Sequence, residues 1–343
     1  MTKAKGKRVR PDKSRAGGMP PRPKIESASD VLNRIFAKGD DEFSVGAEIA
    51  NLTSRFAALQ NVVFPKPPQT RLIAVANQKG GVGKTTTAVN LAAALAENGA
   101  QVLVIDMDPQ GNASTALGAQ RTHDMATTYD VIEGRIGIGQ AKRPSTVFPT
   151  LDLVPASIDL SGTELEVANL PERNLLLNRA LSQFLAESQV HYDYVIVDCP
   201  PSLGLLVLNA MCAVTEVLIP VQAEYYALEG LQQLLHTIEL VQENYNRSLI
   251  VSTMLITMYD RRTLLSREVY DEVKEHYPQI VLKTTIPRSV KISEAPSFGE
   301  SIISYDPRGA GAISYSEAAL EIAERSKRVL NMISKKQSSW ESE

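Results

Sequence analysis

The feature that most constrains the fold of this chain is a glycine-rich loop between an apolar run and a helical pattern. Residues 72–76 are apolar, residues 77–86 read NQKGGVGKTT, and a helical pattern extends from residue 84 to residue 97. Glycines at such a junction let successive backbone N–H groups turn inward, and the start of the helix adds a partial positive charge. The order of strand, loop and helix therefore predicts a phosphate-binding loop. A turn that is rich in glycine by chance is the alternative, and the flanking strand and helix argue against it.

Two residues of the loop have the chemistry that phosphate groups require, and a third is unexpected. Lys84 is placed to reach the β- and γ-phosphates, and the hydroxyl of Thr85 is placed to hold Mg²⁺. The standard pattern has glycine where this chain has Gln78, and a second lysine, Lys79, follows it. Two lysines that face one triphosphate from the same side repel each other. We therefore expect Lys79 to point outward, toward a phosphate held by a second copy of the chain in a nucleotide-sandwich dimer.

Beyond the loop, short apolar runs alternate with helical patterns. The apolar runs cover residues 72–76, 102–105, 151–155, 194–197, 217–221 and 249–256, and the helical patterns cover residues 84–97, 165–188 in pieces, 204–214, 228–245, 264–276 and 316–333. Runs that are apolar throughout are typical of parallel strands covered on both faces. The predicted fold is α/β, a doubly wound and mostly parallel sheet with helices on both faces. Only two cysteines occur in 343 residues, which excludes a disulfide scaffold.

Changes in composition divide the chain into four predicted segments. These are a disordered basic arm and linker at residues 1–43, an amphipathic helix and proline-rich linker at residues 44–69, the sheet domain at residues 70–334, and a polar tail at residues 335–343. The helix is predicted because apolar side chains recur at helical spacing on one face, at Ile49, Leu52, Phe56, Leu59 and Val63. Such a helix needs a surface on which to pack.

The charge of the chain is divided unevenly. Residues 1–24 hold nine basic residues and one acidic residue, which gives them a net charge of +8. The whole chain has a net charge of −3, so the remaining residues carry −11. A basic arm on an acidic body indicates a polyanion as its partner. A solubilising tail without a partner explains the same residues equally well.

Aspartates stand at the ends of two apolar runs. Asp106 and Asp108 follow the second run, and Asp198 ends the fourth. Side chains alternate along a strand, so Asp106 and Asp108 are expected on one face. An aspartate at the tip of a buried strand beside a phosphate loop is suited to hold Mg²⁺ through water. A single aspartate in this position more often caps the next helix, but two such sites at the carboxyl ends of parallel strands favour a ligand site.

Taken together, these motifs resemble the ParA/Soj family of chromosome- and plasmid-partitioning ATPases, which belongs to the deviant Walker A group of the MinD/ParA superfamily. The resemblance covers nearly all of residues 71–330. It rests on KGGVGKTT at residues 79–86, DMDPQGN at 106–112, VDCPP at 197–201 and IPRSVKISEAPSFG at 286–299. Relatives of the superfamily share the loop, whereas the last of these segments is similar to ParA.

The resemblance implies roles for individual residues. Lys79 matches the lysine that contacts nucleotide across the dimer, Lys84 the phosphate lysine, and Asp108 the residue that positions the attacking water. Asp198 resembles the Walker B aspartate, which acts on Mg²⁺ through water. The other nucleotide contacts that the resemblance implies are Gly80, Gly81, Val82, Gly83, Thr85 (also the Mg²⁺ ligand) and Thr86, together with Met258 and Pro287, which are expected near the adenine base.

The resemblance also implies a DNA-binding surface. Nonspecific DNA is held by basic residues in this family, and Arg262 and Lys291 stand at matching positions. Many members have arginine at the position of Lys291. Lysine keeps the positive charge but loses the bidentate geometry of the guanidinium group.

The function that the resemblance implies is an ATP-dependent cycle with the cofactors ATP and Mg²⁺. An ATP-bound homodimer binds nonspecific double-stranded DNA, and a ParB-type centromere-binding protein stimulates hydrolysis. The dimer then dissociates, releases the DNA and so moves the ParB-bound origin. Turnover without the activator is expected to be slow, and the expected location is cytoplasmic and nucleoid-associated. Whether a polar scaffold protein is a further partner stays open.

An alternative function also stays open. The chain is then an ATP-dependent dimeric scaffold or positioning protein of the MinD-like superfamily, with little turnover. A MinD-like membrane association is not expected, because residues 335–343 are polar apart from Trp340 and lack the apolar face of a membrane-binding helix. No operator-binding helix-turn-helix is expected at residues 25–64, which offer too few helices.

Overall fold

The computed structural model describes residues 45–119, 125–224 and 227–341. The basic arm predicted at residues 1–24 and the rest of the segment up to residue 43 lie outside these ranges, so both remain predictions. Within the described ranges, no helix is long and apolar enough to cross a bilayer.

The centre of the fold is one eight-stranded sheet. Its strands are β1 (Arg71–Val75), β2 (Val102–Asp106), β3 (Arg143–Pro144), β4 (Leu151–Val154), β5 (Tyr194–Asp198), β6 (Glu216–Gln222), β7 (Ile250–Tyr259) and β8 (Val281–Pro287). They lie in the order β3-β4-β2-β5-β1-β6-β7-β8. Every neighbouring pair is parallel except β3 with β4. The predicted doubly wound, mostly parallel α/β fold is confirmed.

Helices connect the strands and cover both faces of the sheet. They are α1 (Val45–Gln60), α2 (Lys84–Glu97), α3 (Asn112–Ala116), α4 (Thr128–Ile132), α5 (Ile138–Ala141), α6 (Thr163–Glu166), α7 (Leu176–Glu187), α8 (Leu205–Ala213), α9 (Ala227–Asn244), α10 (Leu264–His276), α11 (Val290–Glu294), α12 (Ile302–Tyr305), α13 (Ala310–Glu324) and α14 (Ser326–Glu341). Short 3₁₀ turns occur at Ile158–Ser161, Arg173–Leu175 and Ala295–Phe298.

Alternate residues of the buried strands pack on opposite faces of the sheet. On β1, Ile73 and Val75 join a core with α2 and α13, whereas Ala74 joins a second core with α7, α8 and α9. This two-sided burial explains why these strands are apolar throughout. Because the strands are parallel, their carboxyl ends meet at one edge of the sheet, which we call the loop edge after the glycine-rich loop that follows β1.

The strand β8 was not among the apolar runs recognised in the sequence, and its position explains why. It is the last strand in the sheet and pairs with β7 alone. Its side chains alternate between buried ones such as Leu282 and exposed or half-buried ones such as Lys283. An edge strand of this kind has no continuous apolar run.

Helix α1 packs on α13, on the same face of the sheet as α2. Ala58 and Leu59 are buried in the shared core. Arg55 donates hydrogen bonds from Nε and Nη2 to the two carboxylate oxygens of Glu317, at 2.7 and 2.6 Å, and Glu317 is only 2% exposed. Removing one partner of a buried ion pair typically costs about 3–5 kcal/mol. These contacts attach α1 firmly to the sheet, while the division of the chain at residue 70 remains a prediction.

Candidate functional site

The glycine-rich loop joins the end of β1 to the start of α2 and leaves the first turn of that helix open. Gly81 and Gly83 have φ values of 77° and 87°, a region that glycine adopts without the strain of a Cβ atom. Gly83 is the N-cap residue of α2, and it has no side chain with which to bond the first backbone N–H groups. Those N–H groups and the positive end of the helix dipole are therefore available to an anion.

Residues from two neighbouring strands hold the loop in place. Asn77 donates from Nδ2 to the backbone oxygen of Pro220 on β6 at 2.7 Å, and its Oδ1 accepts from the backbone nitrogen of Lys79 at 3.0 Å. Thr257, buried on β7, donates from Oγ1 to the backbone oxygen of Val82 at 2.8 Å. Sequence reasoning missed both roles. Asn77 could have been recognised from the sequence, because it is a polar residue directly after an apolar strand. Thr257 could not, because its sequence context is that of an ordinary threonine in a strand.

The two lysines of the loop occupy different environments. Lys84 is buried, and its Nζ donates to the backbone oxygen of Lys79 at 3.1 Å. Burial lowers the pKa of Lys84, and the negative charge of Asp198 opposes this effect. Lys79 is one-third exposed, and its Nζ lies 3.2 Å from Oε2 of Glu224, on the segment after β6. One lysine thus lies within the loop while the other lies at the protein surface, and Glu224 is a partner that sequence reasoning did not identify.

Asp106, at the end of β2, is a structural carboxylate. Its Oδ2 accepts from the backbone nitrogen and the hydroxyl of Ser114 on α3, at 2.8 and 2.6 Å, and its Oδ1 accepts from the backbone nitrogen of Asp108 at 3.1 Å. Burial raises its pKa to about 6. These bonds tie the start of α3 to the strand, which is the capping role that a single strand-end aspartate often has. Asp108 is nearly buried and accepts from the backbone nitrogen of Gln110 at 2.9 Å.

Asp198, at the end of β5, is fully buried and stands beside Asp106 in the strand pairing. Neither of its carboxylate oxygens accepts a hydrogen bond from any described residue. Burial raises its pKa well above the usual range, and the charge of Asp106 adds to this, while the nearby Thr85 hydroxyl lowers it. Mg²⁺ prefers oxygen ligands and retains water molecules that a carboxylate can bond. The unpartnered Asp198 carboxylate and the Thr85 hydroxyl therefore fit a magnesium site.

The unpartnered charge of Asp198 leads to a prediction for stability. The folded-state pKa lies above that of the unfolded chain, so the folded chain holds a proton that the unfolded chain loses between those two values. Stability therefore falls as pH rises through that window. Without nucleotide or Mg²⁺, Asp198→Asn should be about 2 kcal/mol more stable than the parent at pH 8, and equal to it near pH 4. Thermal melting at the two pH values measures this difference.

The matched control for this prediction is Asp193→Asn. Asp193 is also buried, but its Oδ2 accepts from the Nζ of Lys66 at 3.1 Å and from the backbone nitrogen of Gln101 at 2.8 Å. Removing a carboxylate that has such partners should give no gain at pH 8. If Asp198→Asn melted at or below the parent temperature at pH 8, the account of a buried carboxylate without a hydrogen-bond partner would be wrong.

The two residues predicted beside the base lie on neighbouring strands. Met258 is on β7 and Pro287 ends β8, where Tyr259 pairs with Pro287. Met258 has φ of 52°, which is uncommon for a residue other than glycine. Its sulfur accepts from Nε2 of Gln222 at 3.3 Å. The structure thus brings both residues to the loop edge, and their contact with a base remains a prediction.

The two predicted DNA-binding cations follow the carboxyl ends of β7 and β8. Arg262 is 73% exposed, and its guanidinium group bonds both oxygens of Asp260 at 3.0 Å. Lys291, on α11, is 59% exposed and lies 2.8 Å from Oδ2 of Asp306. The acidic partner raises the pKa of each cation. Both cations are thus at the surface near the loop edge, each beside a carboxylate of its own chain.

Comparisons with known proteins identify the family. A family model described as an AAA domain matches residues 70–251. The sporulation initiation inhibitor protein Soj of Bacillus subtilis (strain 168) is 49% identical over 253 residues, which cover 74% of this chain and 98% of Soj. The chain belongs to the ParA/Soj family of chromosome-partitioning ATPases. The chromosome partitioning protein ParA of Caulobacter vibrioides (strain NA1000 / CB15N) is 48% identical over 255 residues, covering 74% of this chain and 94% of that ParA.

Solved structures share the fold of this chain. A Mycobacterium smegmatis protein described as cobyrinic acid a,c-diamide synthase, with bound ADP and magnesium, has a TM-score of 0.65 and 37% identity, covering 76% of this chain and 96% of that one. The cell division ATPase MinD of Pyrococcus furiosus has a TM-score of 0.61 and 24% identity, covering 74% and 98%, and shows the shared fold. The family resemblance read from the motifs is confirmed, and the chain is of the P-loop ATPase type.

Proposed function

We propose that this ParA/Soj family member is a DNA-partitioning ATPase that binds ATP and Mg²⁺ and forms a sandwich dimer around two nucleotides. The observation that carries the proposal is that the two lysines of the loop occupy different environments. Lys84 lies inside the loop, where it meets the phosphates of its own nucleotide. Lys79 lies at the surface, and among the described residues its ammonium group has only the exposed carboxylate of Glu224 as partner. The ammonium group can therefore exchange Glu224 for the phosphate of a second protomer.

The residues of the loop edge then have distinct tasks. The open N–H groups of α2 and the glycines of the loop bind the β-phosphate, and Thr85 and Thr86 contact the metal and the phosphates. When bound, Mg²⁺ would supply positive charge against the negative charge that develops on the phosphate oxygens. Asp198 would hold this metal through water, and Asp108 positions the attacking water. Met258 and Pro287 lie beside the base.

Nucleotide controls DNA binding through the dimer. A contact made by Lys79 only in the dimer gives ATP a higher affinity for the dimer than for the monomer, which is the condition for a ligand to shift that equilibrium. In the dimer, two surfaces with Arg262 and Lys291 act on one duplex, and each cation exchanges its own-chain carboxylate for DNA phosphate. A ParB-type protein stimulates otherwise slow hydrolysis, which ends the dimer and releases the DNA. A polar scaffold protein is a further candidate partner.

Retention of DNA in three nucleotide states tests this proposal. The parent should retain duplex DNA of any sequence with a non-hydrolysable ATP analogue, and should lose it with ADP or without nucleotide. Because a dimer has two copies of Arg262, Arg262→Glu should make the slope of log K against log salt shallower by about 2. Fluorescence anisotropy over a salt series measures the slope, and nucleotide affinity should not change.

Arg328→Glu is the matched control for the charge change. Arg328 is also exposed, but it lies on α14 and bonds the backbone oxygen of Gln279, which precedes β8 at the edge opposite to the loop edge. This variant should keep the salt slope of the parent. Equal DNA retention in all three nucleotide states would contradict the proposed function, and equal effects of the two variants would contradict the assigned surface.

A further inference from the structure

Asn90 is a buried polar residue on helix α2, one turn after Thr86. It is 3% exposed, and its side chain forms hydrogen bonds in two directions. Its Nδ2 donates to the backbone oxygen of Thr86 at 2.8 Å. Its Oδ1 accepts from the backbone nitrogen of Ile302 at 2.7 Å, across 212 positions of the sequence. Asn90 thus joins the first turn of α2, which continues the phosphate loop, to a segment far along the chain.

The bond from Ile302 satisfies an N–H group that the short helix α12 leaves without a partner of its own. Ile302 is the first residue of α12, and the N–H groups in the first turn of a helix have no partner within that helix. The side chain of the N-cap residue Ser301 accepts from Ser304 instead. Since Ile302 is buried, Asn90 takes the place that water has at an exposed helix end. This hydrogen bond ties α12 to α2 within a narrow range of distance and angle.

Helix α12 in turn holds the ammonium group of Lys291. Asp306 follows α12, and its backbone nitrogen donates to the backbone oxygen of Ile302 at 3.0 Å. Its Oδ2 lies 2.8 Å from the Nζ of Lys291. The Asp306 carboxylate lies directly on Gly309, where an added Cβ atom would overlap it. The carboxylate that holds Lys291 is therefore positioned by α12 and by the turn that precedes α13.

A second contact holds the backbone of α11, the helix that carries Lys291. Ile292 is the next residue, and its side chain packs with that of Ile302 on Gly311 of α13. A Cβ atom at Gly311 would lie 2.7 Å from Ile292 and 3.2 Å from Ile302. Such close packing leaves little room for α11 to shift relative to α12. The contact does not involve the ammonium group, so it persists when Lys291 exchanges Asp306 for a DNA phosphate.

The position of Lys291 relative to the phosphate loop matters in the proposed dimer. There the nucleotides lie between the two loops, so the loops fix the two protomers relative to each other. The phosphates of one duplex have a regular spacing, and two copies of Lys291 meet them together only if each copy is fixed relative to its own loop. Arg262 reaches the same surface by another route, because it follows β7 and bonds Asp260 beside it.

We propose that Asn90 is a positioning residue for DNA binding, whose bond from Ile302 holds α12, and with it Lys291, in place relative to the phosphate loop. The proposal rests on the proposed function, since it assumes that Lys291 binds DNA in the ATP-bound dimer. Its consequence is selective. Loss of the bond should remove the contribution of Lys291 to DNA binding and leave the contribution of Arg262.

Two substitutions separate the two bonds of Asn90. Asn90→Ser removes the acceptor for Ile302, while the shorter hydroxyl side chain can still donate to the backbone oxygen four residues before it. Asn90→Asp keeps the acceptor and removes the amide donor. With a saturating non-hydrolysable ATP analogue, at protein concentrations where light scattering shows dimers, Asn90→Ser should have a salt slope of DNA binding shallower by about 1–2 and about tenfold lower affinity near 0.15 M salt. Asn90→Asp should keep the slope of the parent.

Combination with charge removal distinguishes positioning from a general loss of structure. In the parent, Lys291→Gln and Arg262→Gln should each make the salt slope shallower by about 2, because the dimer has two copies of each cation. In the Asn90→Ser background, Lys291→Gln should change the slope by less than half of that amount, whereas Arg262→Gln should still change it by about 2. A general loss of structure would reduce both contributions together.

Asn98→Ser is the matched control. Asn98 directly follows α2, and its Nδ2 donates to the backbone oxygen of Ala94 at 2.9 Å, the same bond to the fourth residue before it that Asn90 makes. This variant should keep both contributions. Gly311→Ala tests the connection away from α2, because the added Cβ atom would displace Ile292. It should again reduce the contribution of Lys291 and leave that of Arg262.

The outcomes separate this proposal from the proposed function. If Lys291→Gln changes the slope equally in the parent and in Asn90→Ser, or if Asn90→Asp loses the contribution of Lys291 as Asn90→Ser does, the positioning role of the bond from Ile302 is wrong while the proposed function stands. If Lys291→Gln has no effect in the parent, both the positioning role and the assignment of Lys291 to the DNA surface are wrong. If the parent shows no ATP-dependent DNA binding, the proposed function itself fails, and the positioning role with it.

Discussion

Lys79→Ala is expected to abolish ATP-dependent dimerisation while the chain remains folded. By symmetry, the proposed dimer has two contacts between a Lys79 ammonium group and a partner's phosphate. A hydrogen bond to a charged group contributes about 1.5–3 kcal/mol, so the loss of both should weaken association by about 3–6 kcal/mol, or roughly 10²–10⁴-fold in Kd. The pair with Glu224 that Lys79 gives up is exposed and is worth only about 0.2–1 kcal/mol. The phosphate contact therefore outweighs it.

Light scattering with a saturating non-hydrolysable ATP analogue measures this loss. Lys66→Ala is the matched control, because Lys66 also pairs with a carboxylate at 3.1 Å, that of Asp193, but lies at the opposite edge of the sheet. It should dimerise like the parent. ATP should still bind to Lys79→Ala through Lys84, as seen by equilibrium titration. If this variant formed the dimer as the parent does, the proposed contact of Lys79 with the partner's phosphate would be wrong.

The fold was predictable from the sequence because its central strands have no exposed face. Residues such as Ala74 and Val75 pack into different cores on the two faces of the sheet, so both must be apolar, and a continuous apolar run results. The same reasoning fails for β8, whose place at the edge of the sheet allows exposed residues such as Lys283. An apolar run identifies a strand only where both faces are covered.

The candidate site was predictable where the residue type itself carries the chemistry. Glycines and Lys84 at the start of a helix have few purposes other than phosphate binding, so these residues could be named from the sequence, and their contact with phosphate stays a prediction. Residues that act by position left no such signal. Thr257 supports the loop from β7, which lies two positions away in the sheet order from β1, the strand that the loop follows. Glu224 meets Lys79 only because β6 ends beside the loop.

The aspartates show how the same residue type at a strand end can serve different purposes. Asp106 and Asp198 end neighbouring strands in register. The first is bonded by Ser114 and the backbone of Asp108, whereas the second has no partner among the described residues. Neither the partners of Asp106 nor the lack of partners for Asp198 can be read from the sequence, because both depend on where α3 begins. Only the unpartnered carboxylate has oxygens available for a metal-bound water.

Asp108→Ala should separate nucleotide binding from hydrolysis. In the proposed mechanism Asp108 positions the attacking water and makes no contact that holds the nucleotide. Loss of a group that orients or activates water typically lowers turnover by about 10²–10⁴-fold. The variant should therefore bind ATP, dimerise and remain on DNA, because the step that ends the dimer no longer occurs. Phosphate release in the presence of DNA and a ParB peptide, together with the lifetime of the DNA complex, measures both effects.

Asp108→Asn distinguishes this chemical role from a structural one. The Oδ1 atom of Asp108 accepts a hydrogen bond from the backbone nitrogen of Gln110 at 2.9 Å, and asparagine keeps that acceptor while it removes the negative charge. If Asp108 acts on water through its charge, both variants should lose turnover and both should form long-lived DNA complexes with ATP. If alanine abolished turnover and asparagine restored it fully, Asp108 would serve the turn after β2, and the water would be positioned by another group.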